Sequence, residues 1–496
     1  MKKNLALLWT VAAGLLTVGC STAESNQLSY EMGMNDWFTG EPQLTGTDGD
    51  KFEEYQDNPF VAVSEQPTST FSVDADGASF AITRRYLTSG YKMNASGVRI
   101  EELLNYFTFN YPSPKGDDRI AINAEVGDCP WNAAHKLLRL GIKGKELTAG
   151  EVPLANYVFL VDVSGSMDGK DRLDLLKSGL TQLLYQLNPD DRISLITYSG
   201  EVKKLLESTP VREAGRIKKA ISQLHASGCT AGGEALKMAY EEALANYDPK
   251  KNNRVIMGTD GDFNVGVTST DALVEMVESY ASKGIYMTCL GFGLGNLNDG
   301  MMEQVSNSGN GTYYYIDNEE EMMKVFVHER ERFVAVANDT KCQVTFNNSV
   351  VSQYRLIGYE NRVMSNEDFK NDEKDAGEIG AGQTITALYE LVLNQNDVDN
   401  ADQVFVTFDC RYKKALNEAS IPLQTTMTVA QIFNKNGRSS DFHFAAGVAA
   451  WGMILRNSPY KGDATMEMAK SLAKEGLTFD PHGYRAELLK LMDIEP

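Results

Sequence analysis

The chain has 496 residues, 42% of them hydrophobic and 23% charged, enough for two to four domains with real cores if roughly 100–200 residues make one. A formal charge of −21 at pH 7 argues against nucleic acid as a partner, because phosphate binding needs a basic patch and none is visible. Cys20, Cys129, Cys229, Cys289, Cys342 and Cys410 are widely spaced without a CxxC pair, which indicates neither a disulfide framework nor a zinc knuckle.

Lys2 and Lys3 precede an uncharged, mostly apolar run from Leu5 to Val18, and small Gly19 stands before Cys20. The run is too short for a bilayer span and fits a secretory signal over residues 1–19. Leu16-Thr17-Val18-Gly19-Cys20 resembles a bacterial lipobox, with Thr17 where Leu is usual. The resemblance implies that Cys20 is the lipidated first residue of the mature protein. It further implies attachment to a membrane of the bacterial cell envelope through that N-terminal lipid. Residues 20–65 are polar and rich in Gly and acids, the composition of a tether.

A structured region is expected over 66–154. Thr70-Phe71-Ser72-Val73 reads as a strand, followed by Asp74-Ala75-Asp76-Gly77 and helical patterns through Leu87 and from Val98 to Phe107. Asp74 and Asp76 are assigned turn and capping roles, because the bidentate Glu of a calcium loop does not follow them. Alternating strands are expected from about 120 to 140. Over 155–333 strands and helices alternate. The strands are Tyr157–Val161, Ile193–Tyr198, Val202–Leu206, Arg254–Met257, Ile285–Leu290 and Thr312–Ile316. A helix is expected from Glu319 to Phe333. This is the pattern of an α/β, doubly wound, mainly parallel sheet. Over 334–430 the period changes to two, in Cys342–Phe346, Ile385–Val392, Val404–Phe408 and Ile421–Val429, the mark of an antiparallel β-sandwich. Cys342 and Cys410 lie in two such stretches and read as buried thiols rather than a bridge. Because the period-two pattern stands on both sides of 155–333, the α/β domain is expected as an insert in one sandwich. Residues 431–496 return to helix.

Ligands of a doubly wound sheet bind at the carboxyl ends of its strands, where strand order reverses. Right-handed crossovers put Asp162 and Asp260 at the ends of neighbouring central strands, facing one crevice. Two carboxylates there repel unless one is protonated or a cation lies between them. Ser164 and Ser166 add hydroxyls from the loop Asp162-x-Ser164-x-Ser166. Thr230 adds one from Ser227-Gly228-Cys229-Thr230-Ala231-Gly232-Gly233. Hard oxygens of this kind suit Mg²⁺, with Mn²⁺ or Ca²⁺ as alternatives. Asp168 and Asp171 read as helix-terminus acids, and Asp262 as a solvated loop acid.

These residues resemble the metal-ion-dependent adhesion site of a von Willebrand factor A-type (VWFA) domain. The resemblance implies that Ser164 and Ser166 bind a metal directly, Thr230 directly or through water, and Asp162 and Asp260 largely through water. One position is then left for an acidic side chain of a protein partner. Phe71-Ser72-Val73-Asp74, Val98–Phe107 and Asp375-Ala376-Gly377-Glu378-Ile379-Gly380-Ala381-Gly382 resemble the flanking regions of bacterial VWFA lipoproteins.

The chain is not expected to be an enzyme. His135, His225, His328, His443 and His482 form no metalloprotease motif, since His328-Glu329 lacks the second His. No GxSxG elbow, Walker loop or dinucleotide fingerprint appears. The expected function is metal-dependent binding of another protein, with an envelope assembly or scaffold factor as the alternative and a metal-assisted hydrolase behind it.

Overall fold

In the computed structural model the run Ala155–Asp162 is a strand buried along its whole length. Its successive side chains feed different cores: Val158 and Leu160 on one face of the sheet, Tyr157, Phe159 and Val161 on the other. A strand covered on both faces needs apolar residues at every position, and this is why it reads as a continuous run. The structure describes residues 49–228, 232–261, 269–394, 400–434 and 437–494. Cys20, Cys229, Thr230 and Asp262 therefore lie outside the described residues.

In chain order, β1 (Val61–Ala62) and β2 (Thr68–Ser72) precede α1 (Ala78–Thr88) and α2 (Ile100–Asn105), and β3 (Ile120–Asp128) pairs with β4 (Lys136–Gly144). The α/β unit follows with β5 (Ala155–Asp162), α3 (Leu173–Leu183), β6 (Arg192–Tyr198), β7 (Val202–Pro210), α4 (Ala214–Ser222) and α5 (Gly232–Ala245). It continues with β8 (Asn252–Thr259), α6 (Thr270–Ala281), β9 (Ile285–Phe292), α7 (Asp299–Ser308), β10 (Thr312–Ile316) and α8 (Glu319–Met323). Next come β11 (Ala335–Phe346), β12 (Val351–Ile357), β13 (Val363–Met364), β14 (Ile379–Gly380), β15 (Thr384–Leu393), β16 (Val404–Lys413) and β17 (Ile421–Thr428). The last helices are α9 (Val429–Ile432), α10 (Ser440–Leu455), α11 (Met466–Glu475) and α12 (Tyr484–Leu491).

The α/β sheet has the order β10-β9-β8-β5-β6-β7. All its neighbours are parallel except the edge strand β7, which is antiparallel to β6. β5 thus sits between β6 and β8, at the point where strand order reverses.

Two antiparallel sheets, β1-β12-β15-β4-β3 and β13-β2-β11-β16-β17, form the sandwich. β2 pairs with β11 and β4 with β15, so strands from before and after the α/β unit interleave in both sheets. Phe71, Leu138 and Leu140 share one core with Val344, Tyr389 and Phe408. Cys342 and Cys410 are direct cross-strand partners in this core, their Sγ atoms 4.0 Å apart as free thiols. β12 has no alternating signature because Tyr354 to Ile357 are all buried.

The C-terminal helices join the core beneath one face of the α/β sheet, where Trp451 meets Phe80. Gly447 on α10 lets α11 approach closely, for a Cβ there would lie 2.6 Å from the Ala473 nitrogen and 2.7 Å from the Ala469 oxygen.

Two expectations change. Residues 49–65, expected within the tether, are fastened to the body. Asp50 Oδ1 accepts the Gly295 and Leu297 N–H groups at 2.7 and 2.9 Å, and β1 pairs with β12. The helix expected over 319–333 ends as α8 at Met323, and a π turn (Lys324–His328) and a 3-10 turn (Arg330–Phe333) follow. The Glu329 N–H reaches the Lys324 carbonyl at 2.8 Å, and the buried Lys324 Nζ meets Glu329 Oε2 at 2.7 Å. The wider turn brings this ion pair together, and it absorbs His328-Glu329 into structure.

Candidate metal centre

In the parallel register of β5 and β8, Val161 stands opposite Gly258, so Asp162 and Asp260 leave the same edge of the sheet. Asp162 is fully buried. Its Oδ1 accepts the Ser164 N–H at 2.8 Å, which folds the chain back sharply after the strand and turns the next hydroxyls toward the crevice. Its Oδ2 accepts the Thr259 hydroxyl at 3.0 Å. The Ser164 and Ser166 Oγ atoms lie 3.0 Å apart, so the loop brings both hydroxyls together as the spacing requires.

Burial pushes the Asp162 carboxyl up to about 6; the hydrogen bonds from Ser164 oppose this and the charge of Asp260 adds to it. Asp260 is 1% exposed, and neither of its carboxylate oxygens has a hydrogen-bond partner among the described residues. A buried carboxylate without donors costs free energy unless a cation or proton compensates it. The residues present therefore fit a divalent cation: a donor-free carboxylate, a second buried carboxylate and two convergent hydroxyls. Thr230 lies outside the described residues. The loop leading toward it is docked on the Ser164 loop, with the Gly165 N–H on the Gly228 carbonyl at 3.0 Å and the Ser227 N–H on the Val163 carbonyl at 2.7 Å.

Two glycines make the crevice. Gly228 has φ +78°, and a Cβ there would lie 2.6 Å from Ser199 Oγ, whose hydroxyl donates to the Ser227 carbonyl. Gly261 has φ +96°, and a Cβ would come within 2.4 Å of the Asn298 nitrogen. Both conformations belong to the left-handed region that glycine adopts freely.

Thr259 and Tyr198 are absent from the residues that sequence reasoning selected. Thr259 follows Gly258 just as Asp162 follows Val161, and alignment of the two strand ends would have found it. Tyr198 closes β6 fully buried, its phenol pushed up by burial first and by the charge of Asp162 next. Asp171 departs from its expected helix role. It pairs with Arg85 at 2.6 Å across 86 residues of sequence, while α3 has no side-chain cap. Asp168 is exposed. Beside the crevice opens a cleft of about 940 Å³, with Val163, Ser199, Glu201, Lys203, Leu205 and His225 in its walls. Among the described residues no helix is long and apolar enough to cross a membrane.

Sheet order, the position of β5 and the two loops define an α/β unit of the von Willebrand factor type A class. A family model described as "von Willebrand factor type A domain" matches residues 156–328. A "von Willebrand factor" model matches 46–139, and one described as "Uncharacterized protein YfbK, C-terminal" matches 331–495. The Escherichia coli (strain K12) protein YfbK is 35% identical over 472 residues, covering 90% of this chain and 80% of the relative. The chain belongs to the YfbK family of proteins with a von Willebrand factor type A domain. A solved von Willebrand factor type A protein from Catenulispora acidiphila is similar at 16% identity and a TM-score of 0.44, over 75% of this chain and 88% of that one. Proximal thread matrix protein 1 from the mussel byssus, solved with a zinc-occupied MIDAS motif, is similar at 20% identity and a TM-score of 0.30, over 35% of this chain and 46% of that one. Domains of this type are protein-interaction modules.

Proposed function

We propose that the Asp162–Ser166 loop, with Thr230 and Asp260, holds a divalent cation and captures an acidic side chain of a partner protein. Mg²⁺ suits the hard-oxygen donor set best, and Mn²⁺ or Ca²⁺ fit the same chemistry. The observation that carries the reading is the buried Asp260 carboxylate, which has no hydrogen-bond donor among the described residues, beside an Asp162 whose carboxyl is pushed up to about 6. When bound, the cation supplies an electrophilic position for a carboxylate from outside.

The chain's own residues prepare that position. Asp162 orients the loop through the Ser164 N–H, Thr259 fixes the second Asp162 oxygen, and Ser164 and Ser166 present neutral oxygens. Asp162 and Asp260 together balance two positive charges. The site binds rather than catalyses on this reading: the two seryl hydroxyls face each other, and among the described residues no histidine reaches either.

The same reading takes the lipobox at its word: lipid on Cys20 holds the protein at a membrane of the bacterial cell envelope. Cys20→Ser should release it from membranes or leave the precursor uncleaved, and unchanged partitioning and processing would refute the anchor. Calorimetry with Mg²⁺ and Mn²⁺, beside partner capture with and without chelator, tests the site. Asp162→Ala should abolish both metal and partner binding. Capture indifferent to chelation would place the interaction elsewhere.

A further inference from the structure

Asp74 and Asp76 lack a completing Glu downstream in their own loop, but the fold brings one from another element. Glu102 of α2 reaches them, and one carboxylate oxygen from each of the three residues lies within 4.8 Å of the others. Two oxygens held by one Ca²⁺ at about 2.3–2.6 Å stand at most about that far apart. Asp74 and Asp76 are each 1% exposed and Glu102 is 0% exposed.

Backbone donors hold each carboxylate in place. Asp74 Oδ1 accepts the Asp76 N–H at 2.9 Å, Asp76 Oδ1 accepts the Tyr313 N–H of β10 at 2.7 Å, and Glu102 Oε2 accepts the Ser79 N–H of α1 at 2.8 Å. Two buried carboxylate oxygens here lack a hydrogen-bond donor among the described residues. Asp76 Oδ2 accepts no hydrogen bond among the described residues and has only a long ion pair with Arg362, at 3.6 Å. Glu101, also 1% exposed, has an Oε2 without a hydrogen-bond partner, and its charge bears on Asp74 and Glu102.

The surrounding charges do not balance either. Among the described residues the ion pairs of Asp74, Asp76, Glu102, Asp299 and Glu303 are with Arg99 and Arg362, and Glu101, beside Glu360, forms none. Arg99 is shared among Glu102, Asp299 and Glu303, and Arg362 between Asp74 and Asp76. A buried set with this excess of carboxylates must take up protons or a cation. Burial first, then the charge of Asp74, raises the Asp76 carboxyl well above the usual carboxylate range.

We infer that Asp74, Asp76 and Glu102 form a second, structural site for a hard divalent cation, Ca²⁺ by preference. A buried set of three carboxylates offers only hard oxygens and suits Ca²⁺, whereas Mg²⁺ keeps several waters and demands near-octahedral geometry. The site ties α1 and α2 to β10 of the α/β unit, so the cation fastens the N-terminal flank to the binding domain. It is separate from the Asp162 loop and stands or falls without it.

The test uses the full mature chain carrying Asp162→Ala, which removes the first centre. After equilibrium dialysis against Ca²⁺, elemental analysis should find one ion per chain, and Ca²⁺ should raise the unfolding midpoint over that in chelator. Adding Asp76→Asn or, as a second variant, Glu102→Gln should weaken Ca²⁺ binding by roughly tenfold or more and abolish the shift. No Ca²⁺ on the Asp162→Ala chain, or a midpoint that moves with pH but ignores Ca²⁺, overturns the inference; the set then holds protons. Unchanged Ca²⁺ binding by both charge-removing variants overturns it equally.

Discussion

Replacing Asp162 by Asn separates the cost of the metal centre to the fold from its use. The folded carboxyl lies at about 6 against an ordinary value of 3.8, so folding disfavours its ionised form. For an acid raised in this direction the penalty is absent below the unfolded value. It grows as pH rises through the window between 3.8 and about 6, and is fully present above it. Two units at about 1.4 kcal/mol each give about 3 kcal/mol at pH 7, and Asp162 is fully buried, so solvent screening takes little from it. Asn keeps the acceptor for the Ser164 N–H and offers an N–H to the Thr259 oxygen, so the loop has no reason to collapse. In chelator at pH 7, Asp162→Asn should therefore unfold at higher denaturant, by up to about 3 kcal/mol. Wild type should recover about 1 kcal/mol of this on acidification to about pH 5. With Mg²⁺ at about a hundredfold its dissociation constant, wild type gains about 2.7 kcal/mol and the variant nothing, so the two curves converge. Urea unfolding with and without Mg²⁺ at both pH values reads all three effects. A variant less stable than wild type in chelator at pH 7, or one that Mg²⁺ still stabilises, would refute the reasoning.

Gly261→Ala should lower Mg²⁺ affinity by roughly tenfold and cost about 1–3 kcal/mol, because a left-handed φ and a Cβ at 2.4 Å from the Asn298 nitrogen displace the loop that carries Asp260; calorimetry beside thermal unfolding checks it. Arg84 bonds Asp317 at 2.5 Å and Glu321 at 2.7 Å, all three buried, so Arg84→Met leaves two uncompensated carboxylates and should cost about 3–5 kcal/mol. A loss under about 1 kcal/mol in denaturant titration would show that the network repacks. Gly447→Val drives a side chain into the α11 backbone and should destabilise by about 1–3 kcal/mol, seen as a lowered thermal midpoint.

What sequence shows of this fold is what repeats along the chain. A strand buried on both faces is an unbroken apolar run, as in Tyr157–Val161, and the carboxylate that ends it is conspicuous because the run stops there. Right-handed crossovers then suffice to bring Asp162 and Asp260 to one edge, a rule of chirality that needs no contact information. Period two before and after the insert implies that the two segments share a sandwich, because each alone leaves an apolar sheet face uncovered. Contacts between distant residues leave no such periodic trace. Arg85 meets Asp171 across 86 residues and Arg84 meets Asp317 across 233, and nothing in either neighbourhood distinguishes those acids from solvated ones. Lys324 sits in an unbroken helical pattern, and only its partner in the folded chain explains why a π turn interrupts it.

The two carboxylate centres follow the same division. The first arises within one sheet, from strand ends whose neighbours topology dictates, so its residues stand out in the sequence itself. The second arises where Asp74 and Asp76, from the loop after β2, meet Glu102 of α2 beneath β10, and only the fold supplies the third carboxylate. A loop that fails the linear test for a cation site can therefore pass it in space. The same asymmetry explains why Thr259 escaped selection while Asp260, one residue on, did not: Asp260 is unusual in an apolar context, whereas Thr259 acquires its role only through the strand register that brings its hydroxyl to Asp162.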